Sequence, residues 1–215
     1  MLAQRLMMAR SSPARQFAAF ASDPTNLTSY TFTGVSLGTV SVGRFVVVCV
    51  MGWSGSAATR TVSSLTIGGT AATALINPAT QYAGAIFGLY VPTGAAADIA
   101  VTFSGSMVNA AIAVYAVTSL ASTTPVSSGN AGPTAATSRT VTLTTAPGDV
   151  VIGHAMAGPA AGSITSWSGV AQDTTSALET APVASASGLA SGASTAVTVN
   201  VATSGALVLT AVALR

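Results

Sequence analysis

The chain has 215 residues, and only 6% of them are charged, against about 25% in ordinary soluble domains. Polarity comes from Ser, Thr, Asn and Gly, and there is no lysine. Such a chain lacks the clustered basic face that binds nucleic acid and the lysine that a P-loop needs, so we expect neither a nucleic-acid partner nor P-loop chemistry. No apolar run approaches the roughly 20 residues of a spanning helix, so no membrane partner is expected.

The first fifteen residues carry three of the seven arginines and no acid. We predict a docking arm over residues 1–25, with a short helix that ends before Pro13 and an extended part after it. The apolar and basic residues that would bind the partner are Leu2, Arg5, Leu6, Arg10, Arg15, Phe17 and Phe20. A mitochondrial transit peptide is the alternative, because the segment is Arg-rich and acid-free, whereas a secretory signal would need a longer apolar run.

Residues 26–215 predict a β-sandwich domain. In "DIAVTFSG", Ile99, Val101 and Phe103 alternate with small or polar residues, as in a half-buried strand. Other runs, such as "FVVVCVMGW" and "DVVIGHAMA", are apolar on both faces. Such runs predict central strands, or strands whose outer face a neighbouring subunit covers.

The spacing of turns predicts an all-β fold: an antiparallel jelly-roll or Ig-like β-sandwich of about 10–12 strands with an extended N-terminal arm. Residues 119–137 have no hydrophobic periodicity and predict a long loop. The halves on either side, 30–118 and 138–215, open and close on similar runs and suggest a repeat. We expect them to form the two sheets of one sandwich rather than two small domains, because few aromatic residues are available for separate cores.

Catalytic chemistry has little support. His154 is the only histidine and lies in an apolar run, which favours a buried structural role. Ser36 in "GVSLG" matches the G-x-S-x-G pattern, but "TVSVGRFVVV" follows as another strand instead of the helix that a nucleophile elbow needs. Cys49 lies in an apolar run and is expected to be buried. We therefore predict a protein that is not an enzyme, with no catalytic residue, no metal site and no cofactor.

Two tryptophans keep a binding role open. Trp53 in "GWSGS" and Trp167 in "SWSGV" lie where strands end, in roughly equivalent places of the two halves. Exposed tryptophans there would stack on a glycan or anchor a protein partner, with Tyr82 or Tyr115 as further stacking residues. The alternative is that both rings close the ends of the core.

The succession "SSLTIGGTAATAL", "VPTGAAADIAVTFSG" and "AAIAVYAVTSL" resembles the small jelly-roll or Ig-like accessory proteins encoded among tailed-bacteriophage structural genes. The resemblance covers most of residues 34–215 and lies in a neutral, lysine-free composition rich in Ala, Thr, Gly and Val. It implies a virion component, such as a capsid decoration protein or a head or tail spike element. Its partners would be major capsid or tail proteins and copies of itself. The alternative function is a glycan-binding module.

Overall fold

The computed structural model describes residues 13–179 and 181–215, which form antiparallel β-sheets. The first nine strands are β1 (Ala14–Asp23), β2 (Leu27–Ser36), β3 (Phe45–Trp53), β4 (Val62–Ile67), β5 (Thr70–Ala71), β6 (Thr73–Ile76), β7 (Tyr82–Tyr90), β8 (Ala96–Met107) and β9 (Asn109–Thr118). The remaining strands are β10 (Ser127–Ala131), β11 (Ala135–Thr144), β12 (Val150–Ala157), β13 (Ile164–Ser168), β14 (Ala171–Leu178), β15 (Ala181–Leu189) and β16 (Ser194–Leu214), with a 3₁₀ turn at Pro159–Ala161. Within the described part of the chain, no helix has the length and apolar character to span a bilayer. The predicted all-β sandwich class is confirmed, although the described strands number sixteen rather than about 10–12.

The strands form three hydrogen-bonded sheets. The first inner sheet has the order β1-β9-β3-β7-β6, and the first outer sheet has the order β2-β8-β4-β5. The third sheet has the order β10-β16-β12-β15-β14, with β11 and β13 also paired to β16. Residues 194–201 of β16 pair with β11 and β13, whereas residues 207–214 pair with β10 and β12. The two parts of this sheet are here called the second outer sheet and the second inner sheet.

Strand β16 folds over between its two parts. The register against β11 shifts between Ala136 and Ser138, where two steps on β11 correspond to five on β16. Val199 before the shift and Leu209 after it point into the same core cluster. Gly205 lies in the bend, where a Cβ would come within 2.6 Å of the Ala161 backbone nitrogen. The bend therefore requires glycine and brings the second outer sheet to face the second inner sheet.

The two halves have the same strand order. The sequence β1-β9-β3-β7-β6 corresponds to β10-β16-β12-β15-β14, and β2-β8-β4 corresponds to β11-β16-β13. Each half thus builds its own pair of sheets, so the expectation that the halves supply one sheet each of a single sandwich is wrong. The boundaries also differ from those predicted, because β1 belongs to the first half and β10 lies inside the predicted loop 119–137.

Three apolar layers separate four sheet layers. Tyr30, Leu65 and Phe103 of the first outer sheet pack against the first inner sheet in the first core. The two inner sheets face each other across the middle core, and the second sandwich encloses the last core. Each inner sheet is therefore covered on both faces by its own chain.

Because both faces of each inner sheet are buried, its central strands are apolar on both sides. On β3, Val46, Val48 and Val50 point into the first core, while the alternate residues Val47 and Cys49 point into the middle core. A neighbouring subunit is not what covers these faces, because the other half of the same chain packs against them. Contacts of β1 with β14 and of β6 with β10 relate equivalent edges of the two halves, as an approximate twofold axis along the strands would.

Candidate partner-binding end

One end of the molecule, here called the proximal end, is where β1, β3 and β12 begin. Ala14 pairs with Thr118 at the end of β9, and Val150 of β12 pairs with Leu189 at the end of β15. The two sandwiches lie face to face with their corresponding ends together. At the opposite end, here called the distal end, Tyr82 of the first half lies against Gly158, which follows the last residue of β12. The proximal end carries the connecting segments 37–44, 91–95, 119–126, 145–149 and 190–193, together with Arg215.

Exposed large apolar side chains concentrate at the proximal end. Among the described residues, six large hydrophobic side chains are exposed, and five of them lie there: Val40 (51%), Val42 (85%), Tyr90 (52%), Val126 (40%) and Leu189 (48%). Leu27, paired with Met107, is at the distal end. Single exposed apolar residues are normal, but a concentration of them marks an interaction surface.

Arg44 holds the proximal loops of the first half. Its side chain is fully buried and donates from Nε to the Val91 carbonyl (2.8 Å), from Nη1 to Gly38 (2.9 Å), and from Nη2 to Thr93 (2.8 Å) and Gly94 (2.6 Å). Burial lowers the pKa of this guanidinium. A buried charge with four carbonyl acceptors fixes both loops around Val42 and Tyr90, whose hydroxyl donates to the Val42 carbonyl.

Asp149 has the equivalent place in the second half, directly before β12. Its carboxylate accepts from Arg215 Nε (2.8 Å) and Nη2 (2.9 Å) and from the Ala146 backbone nitrogen (2.7 Å). The Arg215 hydrogen bond lowers the pKa of Asp149. The second half thus also has an ordered proximal end, in which the bond from the Ala146 nitrogen lets Asp149 cap the turn before β12.

An apolar groove of about 250 Å³ lies at this end, between the β6–β7 edge of the first inner sheet and the segment joining the halves. Its lining includes Phe45, Leu75, Leu89, Tyr90, Thr124 and Pro125. None of the described residues that line it is charged.

The described part of the predicted arm is a strand. Arg15, Phe17 and Phe20 lie in β1, which pairs with β9 of the same chain. Phe17 packs edge to face on Tyr115 at 5.5 Å, and Arg15 donates to the Ser187 hydroxyl (2.8 Å) and carbonyl (3.2 Å). These residues were expected to bind a partner, but they have contacts within the chain: Arg15 bonds to the second half, and Phe17 and Phe20 pack against the middle core. The other predicted arm residues, Leu2, Arg5, Leu6 and Arg10, lie outside the described residues.

A cluster of polar side chains extends the contact of Arg15 with the second half. The hydroxyl groups of Ser187 and Tyr115 both donate to Asp173 Oδ2, at 2.6 and 3.0 Å. Burial raises the pKa of Tyr115 well above its ordinary value, so the phenol stays protonated and remains a donor. The cluster ties β1 and β9 to β14 and β15.

The two tryptophans are half-buried against core clusters. Trp53 ends β3, packs against the middle core and stacks on Tyr82 at 6.4 Å. Trp167 lies in β13 and packs against the last core near Gly153. Their positions are not equivalent, because β3 corresponds to β12 and β13 corresponds to β4. Tyr115 is fully buried. The two indole rings therefore cover two different cores and do not form one surface on which a glycan could stack.

The residues considered for catalysis lie apart. His154 is 1% exposed in the middle core, and burial lowers its pKa to about 3. Ser36 ends β2, and its hydroxyl accepts from the Gly38 backbone nitrogen at 3.3 Å. Cys49 is buried, which raises the pKa of its thiol. In residues 13–179 and 181–215, no three His, Cys, Asp or Glu side chains are grouped as metal ligands.

The proximal surface was not predicted. Val40 and Val42 alternate in "TVSVG" as the inward residues of a strand do, yet segment 37–44 is a loop and both side chains face solvent. Tyr90 and Leu189 each occupy the last position of an apolar strand. At the proximal end the two halves share one sequence signal, which is the charged residue before each valine run, Arg44 and Asp149.

No protein-family model matches the chain, and no curated protein matches it significantly. Among solved structures, the PBSX exported protein XepA aligns over 94% of this chain and 86% of its own, with 8% identity and a TM-score of 0.26. A223, a turret protein in Sulfolobus turreted icosahedral virus, aligns over 93% of this chain and 98% of its own, with 10% identity and a TM-score of 0.18. Similarities this weak carry no functional inference, so the function is inferred from the geometry.

Proposed function

We propose that this chain is a non-enzymatic structural protein of a tailed-bacteriophage virion, either a capsid decoration protein or a head or tail spike component. It attaches by its proximal end and by residues 1–12. Its partners are major capsid or tail proteins and copies of itself.

The observation that carries the proposal is the concentration of exposed apolar side chains at the end where residues 1–12 join the fold. Val40, Val42 and Tyr90 lie beside loops that Arg44 fixes, so the surface is held in place before binding. An ordered apolar surface loses little entropy on association and gains free energy from the area removed from water. Residues 1–12 directly precede Pro13 and β1 in the sequence and include Leu2 and Leu6.

The outer faces suit a particle surface. In the first outer sheet, Ser29, Thr102 and Ser64 form a row across three strands. In the second outer sheet, Ser138, Asn200 and Ser166 form the matching row. Hydroxyl and amide groups hydrate these faces without a long-range electric field, so their solvation is insensitive to salt.

The test is to purify particles from a lysed culture that carries the gene, separate heads from tails on a density gradient, and quantify the chain by mass spectrometry. We expect it to sediment with particles in a fixed ratio to a capsid or tail protein. In matched gene replacements, Tyr90→Asp should release the chain from particles, whereas Leu27→Asp at the distal end should leave it bound. A chain found only in the soluble fraction would refute the proposal.

A further inference from the structure

We infer that the apolar groove at the proximal end binds residues 1–12 of a second copy of this chain. The inference deepens the proposed function and rests on it, because it identifies the contact by which copies join on the particle.

The groove has the chemistry of a site for an apolar segment. Leu75 and Leu89 lie on two adjacent strands at the sheet edge, and Thr124 and Pro125 form the opposite wall. Exposed Tyr90 lies at its mouth. Because the groove has no charged side chain among its described lining residues, an apolar ligand would leave no buried charge there without a partner.

Residues 1–12 have matching chemistry. Leu2, Leu6 and Ala9 are spaced at i, i+4 and i+7, the anchor spacing of a helix that binds in a groove. Met7 and Met8 add side chains that adapt to irregular apolar surfaces. On such a helix Arg5 and Arg10 flank the stripe of anchors, so both side chains would remain in water.

The positions of attachment point and groove favour a second copy. Residue 13 precedes β1, at one edge of the first inner sheet, whereas the groove lies at the β6–β7 edge. Four strand spacings separate these edges, about 19 Å. The cavity next to the attachment point has Arg15, Gln16, Thr39 and Ser41 in its lining, so unlike the groove it contains a charged side chain.

A donor on one edge and a receptor on the other make a head-to-tail contact, which closes into a ring or continues as an open chain. With residues 2–9 helical in a groove, residues 10–13 span at most about 14 Å, less than the distance to the chain's own groove, so the receiving groove belongs to an adjacent copy. Each copy then gives one segment and receives one.

The experiment mixes two variants that lack opposite halves of the contact. Deletion of residues 2–12 removes the donor, and Ala74→Arg fills the groove from an exposed position on β6. Sedimentation equilibrium should show association of the full chain and a monomer for each variant alone. A one-to-one mixture should give a complex of two chains, because one intact segment meets one intact groove.

Leu27→Asp is the matched control and should associate like the full chain. Thr124→Arg blocks the groove from the opposite wall and should reproduce Ala74→Arg, with circular dichroism confirming that both are folded. A full chain that stays monomeric, or a mixture whose mass does not double, would overturn the inference. Either result is expected if the segment binds in the groove of its own chain. A chain that is monomeric in solution yet sediments with particles would remove this inference and leave the proposed function in place.

Discussion

At the scale of single residues, the fold contains polar side chains in places that an alternating pattern assigns to apolar ones. His154 of β12 has Ser185 and Thr210 as cross-strand neighbours, and all three are buried. Within residues 13–179 and 181–215, neither imidazole nitrogen has a hydrogen-bond partner. The imidazole is therefore held neutral, since burial disfavours its charged form.

His154 should make the fold sensitive to mild acid. Its pKa falls from 6.5 to about 3 on folding, so below pH 6.5 the unfolded chain binds a proton that the folded chain does not. Stability should decrease by about 2 kcal/mol from pH 6.5 to pH 4.5. His154→Leu should remove this dependence, as measured by urea unfolding at each pH.

Asp149 does not interfere in that window. Its folded pKa lies below the ordinary 3.8, so the stability it contributes is lost only at lower pH. If the His154→Leu protein lost as much stability between pH 6.5 and 4.5 as the unaltered chain, His154 would not be the responsible group.

At the scale of elements, β1 is a strand in a segment that the sequence pattern predicted to be part of a docking arm. Phe17 and Phe20 are three residues apart, and in a regular strand such residues point to opposite faces. The register against β9 shifts between Phe17 and Ala19, and this extra residue turns both phenylalanines towards the middle core. A bulge depends on the partner strand, so the alternation of the segment itself did not reveal it.

Truncations should separate the strand from the leading segment. At protein concentrations low enough for the full chain to be monomeric, deletion of residues 2–12 should leave the urea midpoint unchanged. Deletion of residues 2–25 removes β1, exposes the edge of β9 and eliminates both the Arg15 hydrogen bonds to the second half and the packing of Phe17 against the middle core. We expect that deletion to cost more than about 3 kcal/mol, from half-buried aromatic area and lost hydrogen bonds. Equal midpoints for the two deletions would show that β1 does not stabilise the fold.

At the scale of the whole molecule, two similar sandwiches share one apolar layer. The middle core contains residues of β3, β7 and β9 from the first half and of β12, β15 and β16 from the second. Separating the halves would expose this layer to water, so neither half can unfold without a large loss of burial for the other. The shared layer predicts a single cooperative unfolding transition.

The tryptophans provide one reporter for each half. Trp53→Phe leaves Trp167 as the only tryptophan, and Trp167→Phe leaves Trp53. Within each variant, urea unfolding followed by tryptophan fluorescence should coincide with unfolding followed by far-ultraviolet circular dichroism. Distinct transitions in either variant would show that the two sandwiches unfold independently.

The sequence alone determined the local features of this protein. Alternation placed Ile99, Val101 and Phe103 in a core, runs apolar on both faces marked the central strands, and Cys49 was correctly expected to be buried. These features follow from the period of two in a strand, which fixes side-chain direction from neighbours in the chain.

Tertiary structure decided which surface covers each face. The pattern of β3 requires cover on both sides but does not say whether a subunit or the same chain supplies it, because both would bury the same residues. The exposed apolar side chains of the proximal end likewise lie where strands of both halves end together. Val42 and Tyr90 are exposed there although their sequence neighbours are apolar or alternate as in a strand. Which faces meet depends on the complementarity of surfaces that are distant in sequence, and the local period carries no information about it.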